Sequence, residues 1–224
     1  MPQSQSAVRQ LFACKAILFD LDGTLVDSIA AVDRAWSKWA LNNGLVPEEI
    51  LPKIHGRRSI DSIRALTPHL DIEAEDEKLR ITEANDTEGI VELTGALSFL
   101  SQLEPSEWCI VTSGTSMVAK ARMRAVGIVA PHAIYGEDVN QGKPAPDPYL
   151  KAAEDIGVSP ADCLVFEDTA AGVRAGHAAG MKVIAVSNSM DRPDLEEADA
   201  IIPDYRAVSL SRSGTELAVK VLLA

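Results

Sequence analysis

Leu18-Phe19-Asp20-Leu21-Asp22-Gly23-Thr24 is the stretch from which the rest of this chain can be read. The apolar run Ala16-Ile17-Leu18-Phe19 ends abruptly in two aspartates one residue apart. Side chains i and i+2 of a strand point to the same side. Asp20 and Asp22 can therefore approach one reaction centre if the extended backbone continues briefly past the strand end. Gly23 lets the chain turn steeply afterwards. Two carboxylates at the carboxyl end of a strand can supply a nucleophile, an acid/base group and a cation ligand together. A lone D-x-D also fits a solvated loop, so the weight falls on what surrounds it.

Downstream, short apolar segments alternate with helical patterns. Strands are predicted at Ala16–Phe19, Trp108–Thr112, Ala133–Tyr135, Cys163–Phe166, Val183–Val186 and Ala200–Ile202. Helices are predicted at Ser116–Val126, Pro148–Ile156 and Gly172–Ala179, each followed directly by glycine, the expected helix stop. This alternation predicts an α/β fold: a Rossmann-like, mostly parallel sheet flanked by helices, with ligands at the carboxyl ends of the strands. Between about Ser28 and Thr94 the alternation breaks and only helical patterns appear: Ser28–Asn43, Pro47–Ile54, Ser59–Leu66 and Ile72–Thr87. In the first, Ile29, Val32, Trp36 and Trp39-Ala40 fall at helical spacing behind Ser28, a candidate N-cap, and the two tryptophans read as core packing. Residues 28–93 are thus expected to form an inserted α-helical cap domain over a catalytic core of residues 1–27 and 94–224. Met1 to Gln10 reads as a loose polar tail. Thr215 to Leu223 alternates apolar residues at period two and is left open between strand and short helix.

The bulk properties exclude several classes. The 224 residues are 46% hydrophobic and carry a formal net charge of −12, with a pI of about 4.8 and a mean hydropathy of +0.03. This argues for a globular protein that binds neither nucleic acid nor an anionic membrane surface. A small anionic ligand would then depend on a local basic patch or a metal. No long apolar run precedes Lys15, so neither a signal peptide nor a spanning helix is expected. Cys14, Cys109 and Cys163 have neither metal spacing nor an even count, which fits a reducing, cytoplasmic location. The pattern leaves the oligomeric state open, and a monomer is compatible with it.

Three further segments carry chemistry. Ile110-Val111-Thr112-Ser113-Gly114 runs a strand out into a hydroxyl and a glycine, where Ser113 and the N–H groups of the turn can hold a phosphate oxygen; a plain helix cap is the simpler use of that serine. Gly142-Lys143-Pro144 holds a lysine between two conformationally special residues, so its ammonium can be aimed. Leu164-Val165-Phe166-Glu167-Asp168 ends an apolar strand in two adjacent acids, which destabilise each other unless a cation is near. With Asp20 they offer oxygen ligands suited to Mg²⁺.

These four elements, in this order, resemble the signature of the haloacid dehalogenase superfamily, and the resemblance covers nearly the whole chain after the amino-terminal tail. It is greatest to members with a small helical cap after the first motif. There His55-Gly56-Arg57-Arg58-Ser59 and Gln141-Gly142-Lys143-Pro144 are similar to the glycerol-phosphate, 2-deoxyglucose-6-phosphate and general sugar-phosphate phosphatases. The resemblance implies that Asp20 attacks phosphorus and forms an aspartyl-phosphate. Asp22 protonates the leaving alkoxide and then activates water. Thr24, Ser113, Gly114 and Lys143 would bind the transferring phosphoryl group. Asp20, the backbone carbonyl of Asp22, Asp168 and Glu167, directly or through water, would hold Mg²⁺. Dehalogenases and phosphonate-cleaving relatives lack the acid found here at Asp22, which points to a phosphate ester.

The expected partner is therefore a small phosphorylated sugar or polyol. His55, Arg57 and Arg58, on a glycine-containing turn between helical patterns, are the candidate readers of its hydroxyls; a solvated helix start is the plainer use of either arginine. The competing enzyme is a mutase of the β-phosphoglucomutase type, which resembles this chain in the same motifs. Such mutases carry a cap-side histidine about twelve residues after the nucleophile, where this chain has Val32. A binding or regulatory protein on the same fold is the alternative from another class; Asp20, Asp22, Lys143 and Asp168 are all present, which disfavours it.

Overall fold

The structure, a computed structural model, describes residues 8–187 and 193–222. Its elements in chain order are β1 (Val8–Cys14), β2 (Ala16–Phe19), β3 (Val26–Asp27), α1 (Ile29–Asn42), α2 (Pro47–Ile54), α3 (Ser59–Leu66), α4 (Ile72–Asn85), β4 (Val91–Glu92), α5 (Ala96–Leu100), β5 (Trp108–Val111), α6 (Ser116–Val126), β6 (Ala133–Ile134), α7 (Asp147–Asp155), β7 (Cys163–Glu167), α8 (Ala170–Ala178), β8 (Lys182–Val186), β9 (Ala200–Ile202), β10 (Val208–Ser213) and β11 (Glu216–Leu222).

Six strands form one sheet in the order β6-β5-β2-β7-β8-β9, every neighbouring pair parallel. β2, β5 and β7 are buried at every position, which is why they read as unbroken apolar runs rather than alternating ones. Their alternate residues enter opposite layers. Ile17, Phe19, Ile110, Leu164 and Phe166 pack with Ala119 and Met123 of α6 and with Phe99 of α5. Leu18, Cys109, Val111 and Val165 pack with Tyr149 and Ala152 of α7 and Val173 of α8. This is the predicted sheet, with its carboxyl ends pointing one way.

At the chain ends one expectation is corrected and one left open is resolved. Met1 to Gln10 is not a loose tail throughout: residues 1–7 lie outside the described residues, but Val8–Cys14 is a strand. It pairs antiparallel with β11, which pairs in turn with β10, giving a second sheet in the order β1-β11-β10. Phe12 and Cys14 are buried and Leu11 is exposed, the alternation of a strand with one face on the core. The period-two pattern near the carboxyl end resolves as a strand, with Leu217, Val219 and Val221 entering the same apolar layer as Phe19; Leu223 lies outside the described residues.

Helices α1 to α4 occupy the break in the alternation. They bury an apolar cluster of their own that includes Val32, Trp36, Trp39, Ile50, Ile63 and Leu79, and the two indoles meet edge to face with centroids 5.4 Å apart. The chain enters this block through β3 and leaves it through β4. These two crossings pair antiparallel, Val26 with Glu92 and Asp27 with Val91. The whole helical block therefore connects to the sheet layer through one narrow two-stranded ribbon.

Candidate active site

The carboxyl ends of β2, β5 and β7 converge below the helical block, and a cavity of about 830 Å³ lies between them. Asp20 and Asp22 from the β2 end, Thr112, Ser113 and Gly114 from the β5 end, and Asp168 from the β7 end line one side. Gly23 makes this convergence possible. Its φ of 83° suits the steep turn, and a Cβ there would collide with the Asp168 carboxylate.

Behind Asp20 lies a fully buried charge cluster. The Lys143 ammonium donates to Asp20 Oδ1 at 2.6 Å, to Glu167 Oε1 at 2.6 Å and to the Val111 carbonyl at 2.9 Å. Its three protons are matched by three acceptors. Glu167 Oε1 also accepts from the Tyr149 hydroxyl at 3.0 Å, and Oε2 accepts from the Asp168 and Thr169 N–H groups and the Thr169 hydroxyl. α8 starts so close that a Cβ on Gly172 would fall inside the Glu167 carboxylate. Against burial, Lys143 and these N–H donors hold Glu167 below the usual carboxylate range. Likewise against burial, Asp20 and Glu167 hold the Lys143 ammonium above the ordinary lysine value. Burial pushes Asp20 up to about 8; Lys143 opposes this, while Glu167 and Asp22 add to it. One oxygen each from Asp20, Glu167 and Asp168 lie within 4.8 Å of one another. Three carboxylates against one ammonium, all hard oxygen donors, fit a divalent cation.

Asp22 is held differently. Its Oδ1 accepts from the Ser28 hydroxyl at 2.5 Å and its Oδ2 from Arg122 Nη1 at 2.6 Å. Ser28 thus does not cap α1, which has no side-chain cap hydrogen bond. Its hydroxyl is turned to Asp22 instead. The Ser113 hydroxyl donates to the Gly56 carbonyl at 2.9 Å, joining the β5 end to the helical block.

Of the residues expected to meet the substrate, His55 and Arg57 line the cavity together with Gly56, and His55 Nε2 lies 3.2 Å from Asp33 Oδ1. Arg58 is placed apart from them. It is not among the lining residues, because its guanidinium donates to Asp61 on α3 and to the carbonyls of Gly136, Val139 and Asn140. It is a strut between the helical block and the segment after β6. Replacing Arg58 with Ala is expected to lower stability by about 1 to 3 kcal/mol, the cost of leaving such acceptors unmatched, and to leave the order of substrate preference unchanged. Thermal melts and relative kcat/KM over a sugar-phosphate panel check both. Thr24 is also absent from the wall; its hydroxyl points at Asp168 Oδ1, 3.3 Å away. Lys143 is not among the lining residues either; its side chain is fully buried against Asp20 and Glu167.

Sequence reasoning missed Arg122, Glu83 and Tyr149. Tyr149 sits one residue past Pro148 in a helix that reads as ordinary core, and nothing local marks its hydroxyl. Trp36, expected as core, is buried in the helical cluster and also lines the cavity.

The family model of the haloacid dehalogenase-like hydrolases matches residues 17–186, from β2 to the end of β8. Hexitol phosphatase A of Escherichia coli (strain K12) is 47% identical over 205 residues, covering 89% of this chain and 95% of that protein. Glycerol-1-phosphate phosphohydrolase 2 of Saccharomyces cerevisiae is 32% identical over 219 residues, covering 90% and 86%. A solved structure of a hydrolase from Pseudomonas syringae aligns with a TM-score of 0.76 at 26% identity, over 84% of this chain and 93% of that one. The matched region contains Asp20, Asp22, Ser113, Lys143, Glu167 and Asp168 together with the helices above them, and the chain belongs to the haloacid dehalogenase-like hydrolases.

Proposed function

We propose that this chain is a Mg²⁺-dependent phosphoric monoester hydrolase acting on small sugar or polyol phosphates through an aspartyl-phosphate intermediate. The observation that carries the reading is the single cavity that joins Asp20, Asp22, Ser113 and Asp168 to a polar wall from the helical block. Asp20 attacks phosphorus, forming an acyl–phosphate bond as the bond from phosphorus to the sugar oxygen breaks. Asp22 gives its proton to that oxygen. It then takes one from the water that attacks phosphorus and releases Asp20 with inorganic phosphate. Ser113 orients the phosphoryl oxygens, whereas the Gly114 N–H donates to Thr112 Oγ1 at 3.0 Å, and Lys143 offsets the charge of Asp20 from behind. Asp20, Asp168 and the Asp22 backbone carbonyl would hold Mg²⁺, with Glu167 adjacent. When bound there, the ion would neutralise charge on the transferring group.

Residues 28–93 act in this reading as a cap that turns about the β3–β4 ribbon and shuts water out during transfer. A hydroxyl-rich leaving group is favoured by the wall itself. Ser59, Ser62, Arg80 and Thr115 are among its lining residues, a polar surface that suits a polyhydroxylated group. His55 and Arg57 stand at the same wall. The relatives named for hexitol and glycerol phosphates point to the same class. At the mutase's histidine position, Val32 lines the cavity with an apolar side chain, which favours hydrolysis over intermediate return. The free thiols of Cys14, Cys109 and Cys163 fit a reducing, cytoplasmic location.

The test is phosphate release over hexose, pentose, hexitol and glycerol phosphates with Mg²⁺ and with a chelator. Selective release that stops in chelator and returns with Mg²⁺ is expected. Conversion of β-glucose 1-phosphate without phosphate release would select the mutase, and no turnover of any ester would select a binding protein.

A further inference from the structure

Arg122 projects from α6, in the layer packed on the main sheet, and is only 4% exposed. Its Nη1 donates to Asp22 Oδ2 at 2.6 Å, and its Nη2 donates to Glu83 Oε1 on α4 at 2.8 Å. One guanidinium thus bridges the Asp22 carboxylate below and a buried carboxylate of the helical block above. All three side chains line the cavity. Since Ser28 takes the other Asp22 oxygen, the carboxylate cannot turn without losing a charged or a short hydrogen bond.

Stability alone does not call for this arrangement. Buried ion pairs carry a desolvation cost that often cancels their attraction, and apolar replacements of similar volume are frequently as stable. What the arrangement does supply is geometry, because the planar guanidinium fork fixes the directions of two partners at once. Arg122 and Asp22 belong to the sheet layer, whereas Glu83 belongs to the helical block joined to it by the β3–β4 ribbon. Displacing the block would take Glu83 from Arg122 and leave the fork held at one end.

We propose that Arg122 is a positioning residue that aims the Asp22 carboxylate, and that Glu83 makes this aim depend on engagement of the helical block. The inference rests on Asp22 being the acid that protonates the leaving oxygen. Protonation of a poor leaving group is thereby confined to the closed cavity.

The test compares sorbitol 6-phosphate, whose alkoxide leaving group needs a proton, with p-nitrophenyl phosphate, whose phenolate does not. Wild type, Asp22→Ala, Arg122→Lys, Arg122→Met and Glu83→Gln are assayed as full-length chains with Mg²⁺. Arg122→Met is expected to lower kcat on sorbitol 6-phosphate by about 10- to 100-fold, a part of what general acid catalysis supplies. KM should change little, and the loss on p-nitrophenyl phosphate should be several-fold smaller. Glu83→Gln should move the same ratio in the same direction by a smaller factor, and Arg122→Lys should recover part of it. If Arg122→Met fails to fold because Glu83 is left buried and unpaired, Glu83→Gln and the double change Arg122→Met with Glu83→Met carry the test. Equal losses on both substrates in the first-turnover burst of leaving group, which precedes the use of Asp22 as base, or a raised KM with unchanged kcat, would overturn the proposal. Asp22→Ala separates the two readings in the first turnover, before Asp22 is needed as base: if its leaving-group burst falls equally on both substrates, the acid role of Asp22 itself fails.

Discussion

Asp20→Asn is expected to lower phosphate release by about 10⁵-fold or more, the scale seen when a covalent nucleophile is removed, while the fold survives. The amide oxygen can still accept from Lys143, so the hydrogen bond at 2.6 Å has a successor. What disappears is one of three carboxylates that lie together, two of them on the Lys143 ammonium. Without a divalent cation that crowding is unfavourable, so in chelator the variant should melt at or above the wild-type temperature. The cation should raise the wild-type melting temperature by mass action and the variant's much less. Phosphate release and thermal melts with and without Mg²⁺ check both halves. Substantial turnover by the variant would remove Asp20 from the nucleophile's role.

Lys143→Met should combine loss of turnover with a large loss of stability. The side chain is fully buried, and Asp20 and Glu167 face it at 2.6 Å each. Methionine replaces its volume but leaves two buried carboxylates with no counter-charge between them. Breaking a buried pair this way costs about 3 to 5 kcal/mol. For a chain of this length that is roughly 6 to 20 °C in Tm.

The pH dependence has a definite sign. With the ammonium gone, burial and mutual repulsion raise the folded-state pKa of the pair above the unfolded value near ~4. The folded state then binds more protons than the unfolded state, so stability falls as pH rises from the unfolded pKa through the raised folded one. The deficit against wild type should be small near the lower end of that window and largest above it. Mg²⁺ should restore part of it by supplying the missing positive charge. Melts across the window, in chelator and in Mg²⁺, measure this; a variant within about 2 °C of wild type at neutral pH, where less than ~1 kcal/mol would be missing, would contradict the account of the buried cluster.

The parts of this protein legible in its sequence are those whose information is local. An apolar run ending in acids can be read in one window, because a strand buried on both faces must be apolar throughout and only its end can carry charge. Asp20, Ser113, Glu167 and Asp168 were found that way. The helical block was legible because four helical periods interrupt a strand–helix alternation. The amino-terminal strand was not, since β1 lies at the edge of a small sheet whose other face tolerates Leu11 and Ala13 at the surface, with Gln10 exposed near the strand's start. The period-two segment near the carboxyl end became a strand only through pairing with β1 on one side and β10 on the other.

Side-chain destinations needed the tertiary structure. Arg58 reads as a substrate reader because its neighbours do; besides the nearby Asp61, the three carbonyls it donates to lie 78 to 82 residues away, on a segment no local pattern connects to it. Arg122 is 100 residues from Asp22 and 39 from Glu83, and on a helix surface an arginine reads as solvated. By itself the sequence determined the parallel sheet, the inserted helices and the acids at the strand ends, because hydrophobic periodicity and chain direction dictate those within a few residues. Which cations those acids face, and which side chains share the cavity, was decided only when distant elements packed, because charge pairing depends on distance in space and the chain's local pattern carries no measure of it.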